Sequence, residues 1–303
     1  MKQIAFLVSI FLLLVGPVSF VNNLRVNGAE THPLVRTYGL KINVDDMRKA
    51  LSFYEDKLGF EVEGRGTDYA VLKSAAGERL ILNRVKQLRA LGPADTQLSF
   101  TLQVNDLDRA IERMKALGIE FGEKERRREA VGDAIFIKDP FGRRISLMHQ
   151  TVVKAEPFKE PRLYNFGFLV PDMQAARDFY GGKLGFVVRS EKYLPLDLPL
   201  GHTDKSFAFM LHYRPGVTRV LSDYPRSAPF NTLVLETDSL RAAAEALKAR
   251  GVKILDAEPR EGAPGSYLAF EDPFGNVSEL LEVAGRPARV QVRADDGRAA
   301  DGD

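Results

Sequence analysis

Apolar positions along this chain follow two periods that alternate in a fixed order. Segments such as YGLKINV (38–44) and YNFGFLV (164–170) alternate or run apolar over about seven residues, as strands do. The residues after the first of them change period: Met47, Ala50, Phe53, Tyr54 and Leu58 fall on one helical face. Asp45 or Asp46, Asp172 and Ser239 suit helix N-caps, where a side-chain oxygen accepts from an early backbone N–H. Gly59 and Gly185 stand where such helices end, a place that favours positive φ. Short strand-like runs follow: YAVLKSA, RLILNRV, YLPLDLP and SFAFMLHY. The methionines and aromatics of the helical face read as core, not as a cofactor-binding stripe.

The pattern repeats in tandem. VDDMRKALSFYEDKLGF, from Val44, matches VPDMQAARDFYGGKLGF, from Val170, at an offset of 126. NDLDRAIERMKALGIEF, from Asn105, matches DSLRAAAEALKARGVKI, from Asp238, at an offset of 133. The tetrapeptide DPFG occurs at Asp139 and Asp272, at the same offset of 133. The second half therefore carries an insertion of seven residues (133 − 126). A weaker repeat lies inside each half, because Met47 and Leu107, and then Met173 and Leu240, open equivalent helices after an apolar strand. The fold class is α+β, four copies of one strand–helix–strands unit in two domains, 34–152 and 161–284. Whether each domain closes its own pocket or the two complete each other is left open. DPFG itself reads as a turn between the strands AIFIK and RISLMHQ: Asp and Pro start it and Gly supplies positive φ.

Composition narrows the function classes. The chain has 303 residues, 45% apolar and 28% charged, with a net charge of +2, which gives no reason to expect nucleic acid as a partner. With no cysteine, disulfides, zinc–thiolate sites, Fe–S clusters and thiol nucleophiles are excluded. Residues 1–28 place a Lys before an apolar run from Ile4 to Val21, the pattern of a cleaved secretory signal or an uncleaved membrane anchor. This run carries the expectation of an exported protein that meets a membrane only there. Residues 285–303 are small and charged and read as a disordered tail.

A doubled βαβββ unit with FY…LGF at a helix end and DPFGN…EL in the last hairpin resembles the vicinal oxygen chelate superfamily. That group includes glyoxalases, bleomycin-resistance proteins and extradiol dioxygenases. The resemblance implies that two units pair into a cup-shaped eight-stranded mixed sheet with helices outside. It also implies a divalent metal, in metal-bearing members, held by His, Gln or Glu from first and last strands. Carried over by position, the first-domain slots are Gly39, Ile81, Ser99 and Ser146, which form no competent ligand set. The second-domain slots are Asn165, Met210, Thr232 and Glu279, of which only Glu279 keeps a ligand-type side chain. His212, two residues beyond Met210, shares its face of the strand. It could reach that cup with Asn165, Thr232 and Glu279 and make an acid–base pair with the carboxylate. The plainer reading puts His212 at a strand end, partly exposed and bonded to a neighbour. His202 falls in the inserted loop, where a lid role is open; His32 and His149 look peripheral. The resemblance thus implies a binder of a small molecule in the second domain's cup, without the usual metal or any other cofactor. The alternative is a diverged lyase or extradiol-type dioxygenase using Glu279, His212 and a divalent metal. Four units in one chain suit a monomer, and a homodimer is the other expectation.

Overall fold

The computed structural model describes residues 34–88, 100–152, 156–202, 208–216, 231–262 and 264–285. The N-terminal apolar segment, His32, Ser99 and residues 286–303 lie outside them. Among the described residues no helix is long and apolar enough to cross a membrane.

The four repeated units form as the periodicity predicts. The first has β1 (Arg36–Val44), α1 (Met47–Leu51), β2 (Glu61–Arg65), β3 (Tyr69–Lys73) and β4 (Arg79–Arg84). The second has β5 (Phe100–Gln103), α2 (Leu107–Ala116), β6 (Arg127–Arg128), β7 (Gly132–Lys138) and β8 (Arg144–Gln150). The third has β9 (Arg162–Val170), α3 (Met173–Arg177), β10 (Val187–Val188), β11 (Asp197–Gly201) and β12 (Ala208–Tyr213). The fourth has β13 (Asn231–Glu236), α4 (Leu240–Ala249), β14 (Lys253–Ile254), β15 (Arg260–Glu261), β16 (Gly265–Glu271) and β17 (Val277–Val283). Asp46, Asp106, Asp172 and Ser239 cap the four helices, each accepting from the backbone N–H three residues on. Beyond α1 and α3 the helix widens into a π-helical turn over Ser52–Lys57 and Asp178–Lys183, which seats Phe53, Tyr54, Phe179 and Tyr180 in the core.

Pairing of the units crosses the two domains. The first sheet runs β14-β16-β17-β13-β1-β4-β3-β2, with β15 on β16, and so joins the first unit to the fourth. The second runs β10-β11-β12-β9-β5-β8-β7-β6 and joins the third unit to the second. Each domain therefore completes the other's cup. The seams are antiparallel, β1 on β13 and β9 on β5, and their registers correspond: Gly39–Val234–Glu279 across the first sheet matches Asn165–Thr101–Ser146 across the second. The outer faces of both sheets share one core with the helices, from Leu40, Ile42, Leu233 and Leu280 to Phe100, Phe166, Phe168 and Phe209. Burial of these side chains is the main stabilising term, about 1.5–3 kcal/mol for each large apolar residue.

Among the described residues, three sets of polar contacts made by buried or half-buried side chains tie the sheets together. The first is in the DPFG turn between β7 and β8. Asp139 accepts the backbone N–H groups of Phe141 and Arg143 at 2.9 and 2.8 Å, and the hydroxyl of Tyr54, beyond α1, at 2.7 Å. Its Arg143 partner also donates to the carbonyl of Asn43 on β1 at 3.1 Å. The second is the equivalent turn between β16 and β17. Asp272 accepts from the backbone of Phe274 and Asn276, from Asn276 Nδ2 and from Tyr180 Oη, all within 2.9 Å. Asn276 Nδ2 reaches the carbonyl of Leu169 on β9 at 3.3 Å. Each turn is thus bonded to the opposite sheet's first strand and helix. Burial pushes the Tyr54 and Tyr180 hydroxyls well above the ordinary phenol range, so both stay proton donors.

His202 makes the third contact. It lies just past β11, and its Nδ1 accepts from the Thr37 backbone N–H on β1 at 3.0 Å, while its ring packs on Phe186 at 4.0 Å. Burial lowers its pKa from 6.5 to about 4, a backbone hydrogen bond at Leu184 working the other way.

Two predictions follow from these contacts. Tyr180→Phe should lower unfolding stability by about 1.5–3 kcal/mol in urea titration, and Asp272→Ala, which strands four donors, by more. A loss below about 0.5 kcal/mol for Tyr180→Phe would show that the turn does not hold the sheets. The second concerns pH. The unfolded His202 takes a proton below about 6.5 but the folded one only near 4, so its stabilising contribution is complete above pH 6.5 and is lost as pH falls towards 4. Between pH 6.5 and 4.5 the urea midpoint of His202→Asn, which keeps an acceptor for Thr37, should fall less than that of the unaltered chain.

Candidate functional site

The inner face of the first cup brings together Gly39, Ile81, Thr232 and Glu279, on β1, β4, β13 and β17. At Gly39 a Cβ would lie 2.5 Å from the backbone oxygen of Arg79, so this slot has no room for a ligating side chain. Ile81 is fully buried and offers no donor. Glu279, 1% exposed, is already neutralised: Lys41 Nζ bonds one carboxylate oxygen and Arg260 Nη2 the other, at 3.3 Å. Asp256 holds Arg260 through Nε at 2.9 Å and also accepts the backbone N–H of Ala269 at 2.8 Å. The ammonium of Lys41 lies 5.1 Å from the centre of the Tyr267 ring, a cation–π contact. Burial, followed by the Glu279 charge, pushes the Tyr267 hydroxyl up out of reach of neutral pH. Tyr38, Ile81, Val234, Tyr267 and Leu281 pack around this network and fill the cup.

A divalent metal needs three or more nitrogen or oxygen donors converging with an open position. These residues do not fit one: two slots carry no donor, and the one carboxylate is spent on two cations. Among the described residues no three His, Asp or Glu side chains gather as a metal would require.

The second cup has the same frame and a different filling. Its inner face carries Ser146 on β8, Asn165 on β9, and Met210 and His212 on β12. Glu279 and Thr232 lie on the first sheet, so the expected meeting of His212 and Asn165 with Glu279 and Thr232 does not occur. The cause is the crossed pairing, which sends the first and last strands of one domain into different cups. His212 bonds instead to Asp197 on the neighbouring strand β11, Nδ1 to Oδ1 at 2.7 Å, with side chains 31% and 30% exposed. The imidazole lies over Gly167, where a Cβ would come within 2.6 Å of its Nε2. With Nδ1–H donated to the carboxylate, Nε2 is left as the accepting nitrogen.

Position by position, Lys41 of the first cup corresponds to Gly167, Glu279 to Ser146 and Asn83 to His212. The surrounding wall is kept. Glu123 holds Arg127 and accepts the Phe136 N–H at 2.7 Å, as Asp256 does for Arg260 and Ala269. Arg127 and Arg144 sandwich the Phe136 ring, their guanidinium carbons 3.9 and 3.8 Å from its centre. Farther along β5, Gln103 donates to Gln150 Oε1 at 2.8 Å, and Gln150 donates to the Tyr164 hydroxyl at 2.5 Å.

Sequence reasoning missed Lys41, Arg260, Asp197 and Arg127. A signal existed for two of them: Lys41 interrupts the apolar run YGLKINV, and Asp197 interrupts YLPLDLP. A charged residue on the buried face of a strand needs a partner. The sequence does not say which one, because the partners lie in other units.

No curated protein matches the chain. Glyoxalase I from Zea mays superposes with a TM-score of 0.62 at 20% identity, covering 83% of this chain and 93% of that one. A putative dioxygenase from Bacillus subtilis subsp. subtilis str. 168 superposes with a TM-score of 0.58 at 11% identity, covering 82% of this chain and 86% of that one. At these identities the likeness is one of fold. The family model of the Glyoxalase/Bleomycin resistance protein/Dioxygenase superfamily matches residues 35–147 and again 162–280, the two halves recognised from the repeat. Two full matches over a fold of paired βαβββ units place the chain in one family: it belongs to the Glyoxalase/Bleomycin resistance protein/Dioxygenase superfamily.

Proposed function

We propose that this chain is an exported member of the superfamily that binds a small molecule on the inner face of the second sheet, without a divalent metal. One comparison carries the reading. Where the first cup is filled by Lys41 and Glu279, the second has Gly167 and Ser146, and the side chains beside them, Asn165, Met210 and His212, are half-buried rather than sealed. A face with converging, partly accessible polar groups is what orients a small molecule in its site. The N-terminal apolar run supports export. Completion of both cups by one chain supports a monomer.

A second reading, an enzyme, rests on the His212–Asp197 pair. A carboxylate on Nδ1 fixes the tautomer and leaves Nε2 to take or return a proton, the arrangement of a general base in a lyase or isomerase. Glu279 has no part in it, because Lys41 and Arg260 hold it in the other cup.

Four measurements test these readings. In metal titrations of the purified chain, Ni²⁺, Fe²⁺, Mn²⁺ and Zn²⁺ should show no stoichiometric binding; one equivalent bound, and lost in Glu279→Ala, would overturn the metal-free reading. Lys41→Met should destabilise by about 3–5 kcal/mol, because it leaves a buried carboxylate half-paired, and adding Glu279→Gln should restore most of that loss. In a thermal-shift screen run with a chelator, ligands should stabilise the chain, and Ser146→Phe should abolish the shift. Shifts that survive Ser146→Phe would place the ligand elsewhere. For a ligand that is also turned over, His212→Asn should lower kcat by about 100-fold or more while binding persists.

A further inference from the structure

The repeat supplies an internal control for the second cup. In the first cup a carboxylate, Glu279, sits between Arg260 Nη2 and Lys41. In the second cup the equivalent arginine is kept. Arg127 uses Nε on Glu123 and Nη1 on Glu129, and among the described residues its Nη2, the counterpart of the Arg260 nitrogen that bonds Glu279, makes no hydrogen bond. The carboxylate it would meet is absent, because position 146 is Ser. A second guanidinium, Arg144, has been added against Phe136 where the first cup has Val277. At the position of Lys41 the second cup has Gly167, and the His212 imidazole lies over it, within 2.6 Å of where a Cβ would stand.

We infer that the ligand of the second cup is a small organic carboxylate, whose carboxylate takes the place beside Arg127, Arg144 and the Ser146 hydroxyl that Glu279 holds in the first cup. This rests on the second cup being the binding site and names what it binds. Two arginines can hold a carboxylate by charge-assisted N–H···O bonds, and the serine hydroxyl can donate a further one. Glu123 and Glu129 share one cation, Arg127, at 2.9 and 2.7 Å, and Asp197 bonds His212 at 2.7 Å; Arg144 brings the second positive charge to this wall.

The other end of the ligand is marked independently. Gln103, 2% exposed and on the inner face of β5, donates through Nε2 to Gln150, while its Oε1 has no partner among the described residues. A buried amide oxygen without a donor costs about 1–3 kcal/mol, so a ligand hydroxyl or N–H that reaches it gains affinity. Thr101 is level with Ser146, and Gln103 lies two residues farther on, about 6.5–7 Å along the strand. A single aromatic ring with a carboxylate at one end and a hydroxyl at the other spans that distance.

The test uses the full chain, 4-hydroxybenzoate, and its neutral amide, 4-hydroxybenzamide, in isothermal titration with a chelator present. The carboxylate should bind at least about tenfold more tightly than the amide, a difference of about 1.4 kcal/mol. Ser146→Glu should weaken the carboxylate by a similar factor or more, because the chain then supplies its own carboxylate, as the first cup does. That variant should fold, since the first cup already holds Glu in the same frame, and its urea midpoint checks this. Arg144→Gln should weaken the carboxylate and leave the amide unchanged, and Gln103→Met should weaken 4-hydroxybenzoate more than benzoate. Failure of both probes to bind overturns the inference. So does equal binding of acid and amide that Ser146→Glu leaves unchanged. Equal binding of acid and amide that Ser146→Phe abolishes overturns the carboxylate but keeps the second cup as the site.

Discussion

The buried aspartate of the DPFG turn is the constraint on which the rest depends. A carboxylate taken out of water must be saturated with donors or it costs several kcal/mol. Asp272 receives two backbone N–H groups and the Asn276 amide from its own turn, and the Tyr180 hydroxyl from the helix of the opposite sheet. Asp139 is served in the same way by its turn and by Tyr54. A turn can supply its own N–H groups wherever it forms; the tyrosine arrives only when the other sheet is in place. Each sheet therefore satisfies a buried charge on the other. The FY pair and the DPFG tetrapeptide recur together because they are the two ends of one contact.

That reciprocity leaves the inner faces free to differ. The outer faces share one core and must stay complementary, whereas the side chains of each inner face meet partners from their own sheet. The first cup meets the rule that buried charges be paired by closing on itself: two cations, one carboxylate, and aromatic rings over them. The second keeps the arginine wall and loses both the lysine and the carboxylate. Its polar groups, His212 with Asp197 and the glutamine relay to Tyr164, point instead at a face that remains half-open.

The units, helices, caps and turns of this fold were legible in the sequence because each is a local pattern. Asp46, Asp172 and Ser239 cap the helices they were read to cap, and Gly59 and Gly185 adopt positive φ, 83° and 79°. The pairing of units was not legible. β1 meets β13 almost two hundred residues later, and nothing in the period of either strand prefers that partner to β5, since all four first strands have the same apolar face. The candidate site depended on that open question: Glu279 and His212 belong to one domain of the sequence and to two cups of the structure. His212 and Asp197 escaped as a pair because β10 and β11 sit differently from their counterparts after the seven-residue insertion, so no offset connects Asp197 to a known position.

The same bonds that hold the sheets also set the floor of the second cup. Asn276, in the turn of the first sheet, bonds the carbonyl of Leu169 on β9, and Leu169 pairs with His212 on β12. Gly167, two residues earlier on β9, is the surface on which the His212 ring lies. The position of the imidazole is therefore fixed by Asp197 on one side and, through β9, by a turn of the opposite sheet. On the first cup's side, Arg143 does the same for β1 by bonding the carbonyl of Asn43, whose side chain accepts from Asn83. A change in either DPFG turn would reach the first strand of the other cup through these bonds. Stability and site geometry in this protein are thus carried by the same two carboxylates.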